Sequence, residues 1–126
     1  MLLAVRMAPF RDTYVREIMD EKTFLDRSQQ TLRQIETAVE QAMDDGADVD
    51  FEMQGGILEI ECADGSKVIV SPHVIAREIW VAARSGGFHF RYDAGQGWVD
   101  TRSGEPLFTH LAGILKQQGQ IHVNLA

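Results

Sequence analysis

Between Arg33 and Lys67 the chain has no lysine and no arginine, although ten acids stand there: Glu36, Glu40, Asp44, Asp45, Asp48, Asp50, Glu52, Glu59, Glu61 and Asp64. Cysteine is almost as scarce. Cys62 is the only one, so no internal disulfide forms and no thiolate cluster for zinc or iron-sulfur binding can come from this chain alone. Any metal it holds by itself must use mainly oxygen ligands. No apolar run approaches the ~20 residues of a membrane-spanning helix. The opening Met1-Leu2-Leu3-Ala4-Val5 is cut off by Arg6, too short for the apolar centre of a signal peptide, so a cytoplasmic location is expected. The four histidines, His73, His89, His110 and His122, are scattered, with no HExxH and no pair at helical ligand spacing. The paired glycines match no phosphate-binding loop. No catalytic residue stands out.

What is present is charge sorted by position. The formal charge is -7 over 126 residues, and the acidic window outweighs a remainder that is mildly basic. Such a polarised molecule attracts cations to one end and repels the phosphates of nucleic acid. Metal ions or a basic protein surface are the expected partners. The plainer reading is a solvated acidic face that keeps a small domain soluble.

With 44% hydrophobic residues, the chain suits one globular domain with a single core. Leu25, Leu32, Ile35, Val39, Ala42 and Met43 recur at helical spacing and predict a helix from about Asp20 to Asp45, stopped at Gly46. Residues 1–19 lack a sustained pattern and read as an N-terminal extension, disordered or arising from a start codon upstream of Met19. A second option runs the helix backward to a cap at Asp12 or Thr13. After Gly46 the period becomes two. Val49, Phe51 and Met53, then Leu58, Ile60 and Cys62, predict a hairpin with one buried face, and Asp64-Gly65 turns into Lys67–Val70. Residues 79–83, 88–92 and 98–101 read as three more strands. Ser103 or Gly104 would cap a last helix with Pro106 in its first turn and a stripe of Leu107, Phe108, Leu111, Ile114 and Leu115. Ile121, Val123 and Leu125 then alternate along an extended tail. The expected fold is a two-layer α+β sandwich, two helices on one face of an antiparallel sheet of five to six strands.

Glu36, Glu40 and Asp44 follow one another at i+4, which lines three carboxylates along the first helix, with Asp45 beside them. Like charges so placed repel, and acids in a last turn oppose the helix dipole. In the hairpin, a Gly55-Gly56 loop would set Glu52 against Glu59 and Asp50 against Glu61. A Gln54-Gly55 loop would set Asp50 against Glu59 and Asp48 against Glu61. Either way the strands also accept repulsion. Cations would relieve both elements. Carboxylate-only sites suit hard or borderline ions such as iron, manganese, calcium or magnesium, and without a convergent cage they bind weakly and with little selectivity. Trp80 has two readings. Core is the usual fate of a tryptophan; if Ile79 and Val81 face the helices, Trp80 stands instead on the open sheet near Val68, Val70 and His89, as a binding anchor. Cys62 faces inward, and Trp98 reads as structural.

Taken in order, the acidic helix end running into Asp48-Val49-Asp50, the Gly55-Gly56-Ile57-Leu58 hairpin, Gly65-Ser66-Lys67-Val68-Ile69-Val70, Ile79-Trp80-Val81-Ala82, Ser85-Gly86-Gly87-Phe88-His89-Phe90 and Trp98-Val99-Asp100-Thr101-Arg102-Ser103-Gly104-Glu105 resemble the frataxin family in its bacterial CyaY form. The likeness runs from about residue 20 to the end. It implies an iron-binding regulator or chaperone of iron-sulfur cluster assembly that docks on the cysteine desulfurase and scaffold complex. It places weak iron binding on Glu36, Glu40, Asp44, Asp45, Asp48, Asp50 and Glu52, and the exposed sheet tryptophan at Trp80, with Glu40, Asp44 and Asp45 also meeting the partner. It implies a monomer, with iron-driven oligomers as an option. Three features depart from the pattern. Ser71-Pro72-His73 and Glu78 replace Asn, Gln and Gln of typical members, Gln41 stands where a relative can have Glu, and Glu59 and Glu61 stand where Thr is frequent, which would carry the acidic surface onto the second strand.

Three functions compete. The first is non-enzymatic regulation and iron delivery. The second is a ferroxidase on the same carboxylates, although no Glu-x-x-His motif of a two-metal centre occurs. The third is an acidic interaction domain with incidental metal binding.

Overall fold

Asp20 opens the first helix: its Oδ1 accepts the Thr23 backbone N–H at 2.7 Å and caps α1, Glu21–Asp44. That bond, first among the causes, holds the Asp20 carboxyl below its ordinary pKa. The structure, a computed structural model, describes residues 19–125. The predicted extension therefore falls, except for Met19, outside the described residues. Met19 itself packs against the core, and its carbonyl accepts from Arg77 Nε at 2.9 Å. The cap at Asp20 marks where this helix begins, and the option of a helix running back to Asp12 or Thr13 falls on residues outside the described ones.

Six strands follow: β1 Val49–Gln54, β2 Ile57–Cys62, β3 Lys67–His73, β4 Glu78–Ala83, β5 Gly86–Asp93 and β6 Gly97–Asp100. They pair in sequence order, all antiparallel, as one meander. Then α2, Leu107–Gly119, returns across the sheet. The result is the two-layer α+β sandwich expected.

Alternation decides which face is buried. Leu58, Ile60, Cys62, Val68, Val70, Ile79, Val81 and Phe90 are buried with Phe24, Leu32, Ile35 and Val39 of α1 and Leu107, Leu111 and Leu115 of α2. The opposite sheet face carries the polar set. Trp98 closes the open end of the core, its ring edge-on to Phe24 with centroids 5.8 Å apart and its Nε1–H donating to Thr31 Oγ1 at 2.9 Å. After α2, Ile121 is buried while Val123 and Leu125 pack partly against the core, and this tail forms no strand.

Two local readings need correction. The last helix is not capped by Ser103 or Gly104. Asp100 Oδ1 accepts the N–H groups of Arg102 and Ser103 at 2.7 and 3.1 Å, which holds a turn there, and Pro106 becomes the N-cap without a side-chain bond. Proline serves because a helix start needs no N–H from it. In addition β3 runs on to His73 and β4 begins at Glu78, so Ser71, Pro72, His73 and Glu78, which departed from the family pattern, lie within the sheet.

An acidic ridge and an aromatic sheet face

The β1–β2 turn resolves the hairpin register. Gln54 pairs with Ile57, and Gly55 and Gly56 both have positive φ, 60° and 79°, which only glycine adopts freely in a two-residue loop. Glu52 therefore lies opposite Glu59, and Asp50 opposite Glu61. At the adjacent end of α1, Glu40, Asp44 and Asp45 are exposed and Glu36 is half-buried; Asp48, Asp50, Glu52 and Glu61 are exposed as well. No basic residue stands in the last turn of α1. The ridge thus spans the end of a helix and the edge of a sheet.

Its charges are unequally compensated. Lys67 Nζ meets Glu59 Oε1 at 2.8 Å, and Gln41 Nε2 donates to Asp45 Oδ1 at 3.2 Å. Among the described residues no cation comes within ion-pair distance of Glu36, Glu40, Asp44, Asp48, Asp50, Glu52 or Glu61. Nor do three side chains of His, Cys, Asp or Glu converge as a chelating set among them. The ridge is a continuous field of carboxylates and not a cage.

Trp80 lies on the open sheet face, half-buried, while Ile79 and Val81 fill the core. This overturns the core reading. Its expected neighbours are partly corrected too: Val68 and Val70 face the helices, and Ser71 and His89 flank Trp80 across the strands. His73 stacks on the indole with centroids 3.9 Å apart and planes at 12°, and His89 stacks near it at 4.3 Å and 6°. Glu78, two residues before Trp80 on the same face, is buried, and both its oxygens are engaged. Oε1 accepts the Trp80 indole N–H at 2.9 Å and Oε2 accepts from Arg91 Nη2 at 2.7 Å. A buried carboxylate needs such partners. Sequence reading missed this cluster; its one signal was that His73 and Glu78, two departures from the family pattern, bracket the strand turn before Trp80.

A helix pair on a six-stranded meander, with an acidic helix-to-strand edge and an aromatic open face, defines a frataxin-like sandwich. The family model for the Frataxin-like domain matches residues 17–121. The iron-sulfur cluster assembly protein CyaY of Dechloromonas aromatica is 52% identical over 101 residues, 79% of this chain and 92% of that protein. Its counterpart in Cupriavidus metallidurans is 44% identical over 108 residues, covering 85% and 96%. The solved frataxin of Psychromonas ingrahamii superimposes with a TM-score of 0.75 at 29% identity, covering 84% of this chain and 97% of that one. The chain belongs to the frataxin family. Among its described residues no helix is long and apolar enough to cross a membrane.

Proposed function

We propose that this protein is a non-enzymatic, iron-binding regulator or chaperone of iron-sulfur cluster assembly, loading iron weakly on the acidic ridge and docking on a cysteine desulfurase and scaffold complex. The relatives named for cluster assembly support the process. The observation that carries the rest is adjacency: the carboxylate ridge at the end of α1 borders, across β1 to β3, the sheet face where Trp80 stands. One molecule can therefore present charge to a basic surface and an aromatic contact to the same partner. Opposed carboxylates at Glu52–Glu59 and Asp50–Glu61 gain from a bound cation, and oxygen-only ligands suit ferrous or ferric iron and other divalent ions.

Pull-down of a bacterial cysteine desulfurase with and without ferrous iron tests this reading. Capture by wild type, reduced by Asp44→Lys and by Trp80→Ala in a chain that still melts cooperatively, is the expected result. No capture under either condition leaves an acidic domain with incidental metal binding. Oxygen uptake with ferrous iron above the buffer rate would instead establish the ferroxidase.

A further inference from the structure

Trp80 does not offer a ring face to a partner. His73 covers one side and His89 packs on the indole nearly parallel at 4.3 Å, so the contact available is an upright ring edge. Three side chains fix that posture. Glu78 holds the indole N–H, and Arg91 holds Glu78. His73 is fixed in turn, because its Nδ1 accepts the Ala76 backbone N–H at 3.2 Å. An acceptor nitrogen carries no proton. His89 Nδ1 stands 3.6 Å from Glu78 Oε1, the oxygen that accepts from Trp80.

We propose that His73, His89 and Glu78 are positioning residues that hold Trp80 for docking, and that proton uptake by the two imidazoles loosens this clamp and weakens docking as pH falls. The proposal rests on the docking reading above. Imidazolium has no acceptor nitrogen, so protonated His73 loses its bond to Ala76 and with it the anchor for its stack. Protonated His89 competes with the indole for Glu78 Oε1. The ionisable groups facing Trp80 are His73 from β3, Glu78 from β4, and His89 and Arg91 from β5. Arg91 is a guanidinium that keeps its charge, so the two imidazoles are the groups whose proton uptake changes the clamp.

The indole N–H resonances of Trp80 and Trp98, told apart with Trp80→Phe, report the clamp without a partner. The Trp80 signal should move between about pH 7.5 and 5.5 while that of Trp98 stays, and His73→Phe with His89→Phe should keep the stack and abolish the movement. Affinity for immobilised cysteine desulfurase should fall about tenfold over that range in wild type, the scale of one lost hydrogen bond, and less in the double variant. If the double variant does not fold, His73→Gln and His89→Gln singly must each reduce the movement. A Trp80 signal indifferent to pH, or equal pH dependence of binding in wild type and variant, overturns the proposal. Absence of desulfurase binding at both ends of the range, with the Trp80 signal still titrating, sinks the docking reading while the clamp stands.

Discussion

Lys67 Nζ lies 2.8 Å from Glu59 Oε1 and serves as the cation for a whole patch of acids. Its pKa is raised, chiefly by the hydrogen bond and charge of Glu59, with smaller help from Glu61 and Glu52. The second strand is thus not a bare extension of the ridge, because Glu59, opposite Glu52, is ion-paired to Lys67, whereas Glu61 stands between Asp50 on β1 and Lys67 on β3 without a pair at that distance among the described residues.

The two strand glutamates should accordingly behave differently. Glu61→Thr removes the Asp50 repulsion, gives up only a weaker attraction to Lys67 opposite it, leaves the Lys67–Glu59 pair and adds a better strand former, so Tm should rise by about 1 to 4 °C in low salt. Glu59→Thr should give no gain, and Lys67→Gln should lower Tm by an amount that shrinks as salt is added. Thermal melts at low and high ionic strength decide it. A rise in Tm for Glu59→Thr equal to that for Glu61→Thr would show that the ion pair contributes nothing.

The end of α1 carries the larger unrelieved charge. Asp44 closes the helix with no basic residue in its last turn, against the sign of the dipole there, an effect of about 0.3 to 1 kcal/mol per acid. Asp44→Asn with Asp45→Asn should therefore raise Tm in the absence of metal. Millimolar manganese or ferrous iron should raise Tm of wild type by binding the folded chain, and raise it less in the double variant. Equal metal shifts in the two proteins would move the cation site off the helix end.

Much of this arrangement was legible in the sequence because period-two alternation assigns a face to each residue of β1 to β3 once one face is apolar. Where both faces are apolar the rule is silent. Ile79 and Val81 alternate with Trp80 and Ala82, so only the sheet's surroundings place Trp80 outside. Hairpin parity likewise allowed two registers, and two consecutive positive φ values at Gly55 and Gly56 select one. The cap of α2 was misread because Asp100, distant from the apolar stripe, ties the N–H groups of Arg102 and Ser103 into a turn, while Ser103 Oγ accepts only the Glu105 N–H and the helix does not begin until after Pro106. The histidine stack was invisible for a different reason. His73 and His89 sit on separate strands and meet Trp80 only through the β3–β4–β5 register.

Acid sensitivity should concentrate at the β2–β3 turn. Asp64 accepts from Ser66 Oγ at 2.6 Å, from Arg84 Nη2 at 2.6 Å and from Ser66 N–H at 2.9 Å, and these, the hydroxyl first, hold its carboxyl far below the usual range. A depressed folded pKa stabilises above the unfolded value of about 3.9, and the contribution is lost as pH falls through the folded one. Asp64→Asn should lower Tm at neutral pH and flatten the decline of Tm between about pH 4 and 2. Because the group is exposed, added salt should reduce the difference. Parallel Tm profiles for both proteins below pH 4 would assign the acid limb to other carboxylates.

Gly119 gives the sharpest packing test. In an exposed helix, glycine to alanine is stabilising by about 1 kcal/mol. Here a Cβ would stand 2.7 Å from Ile121 Cδ1 and 2.8 Å from Cys62 Sγ, and both neighbours are buried, at 1% and 3% exposure. Forcing a methyl into a filled interior costs about 1 to 3 kcal/mol, so the clash outweighs the propensity gain. Gly119→Ala should lower stability by up to about 2 kcal/mol, a fall of several degrees in Tm. Cys62→Ala alone should also destabilise, by leaving a small cavity. Combined, the two should be less damaging than their sum, because the alanine methyl enters the space the sulfur vacates. Strict additivity in urea unfolding would show that Gly119 and Cys62 do not share that space, and that α2 ends at Gly119 for its backbone and not for its packing.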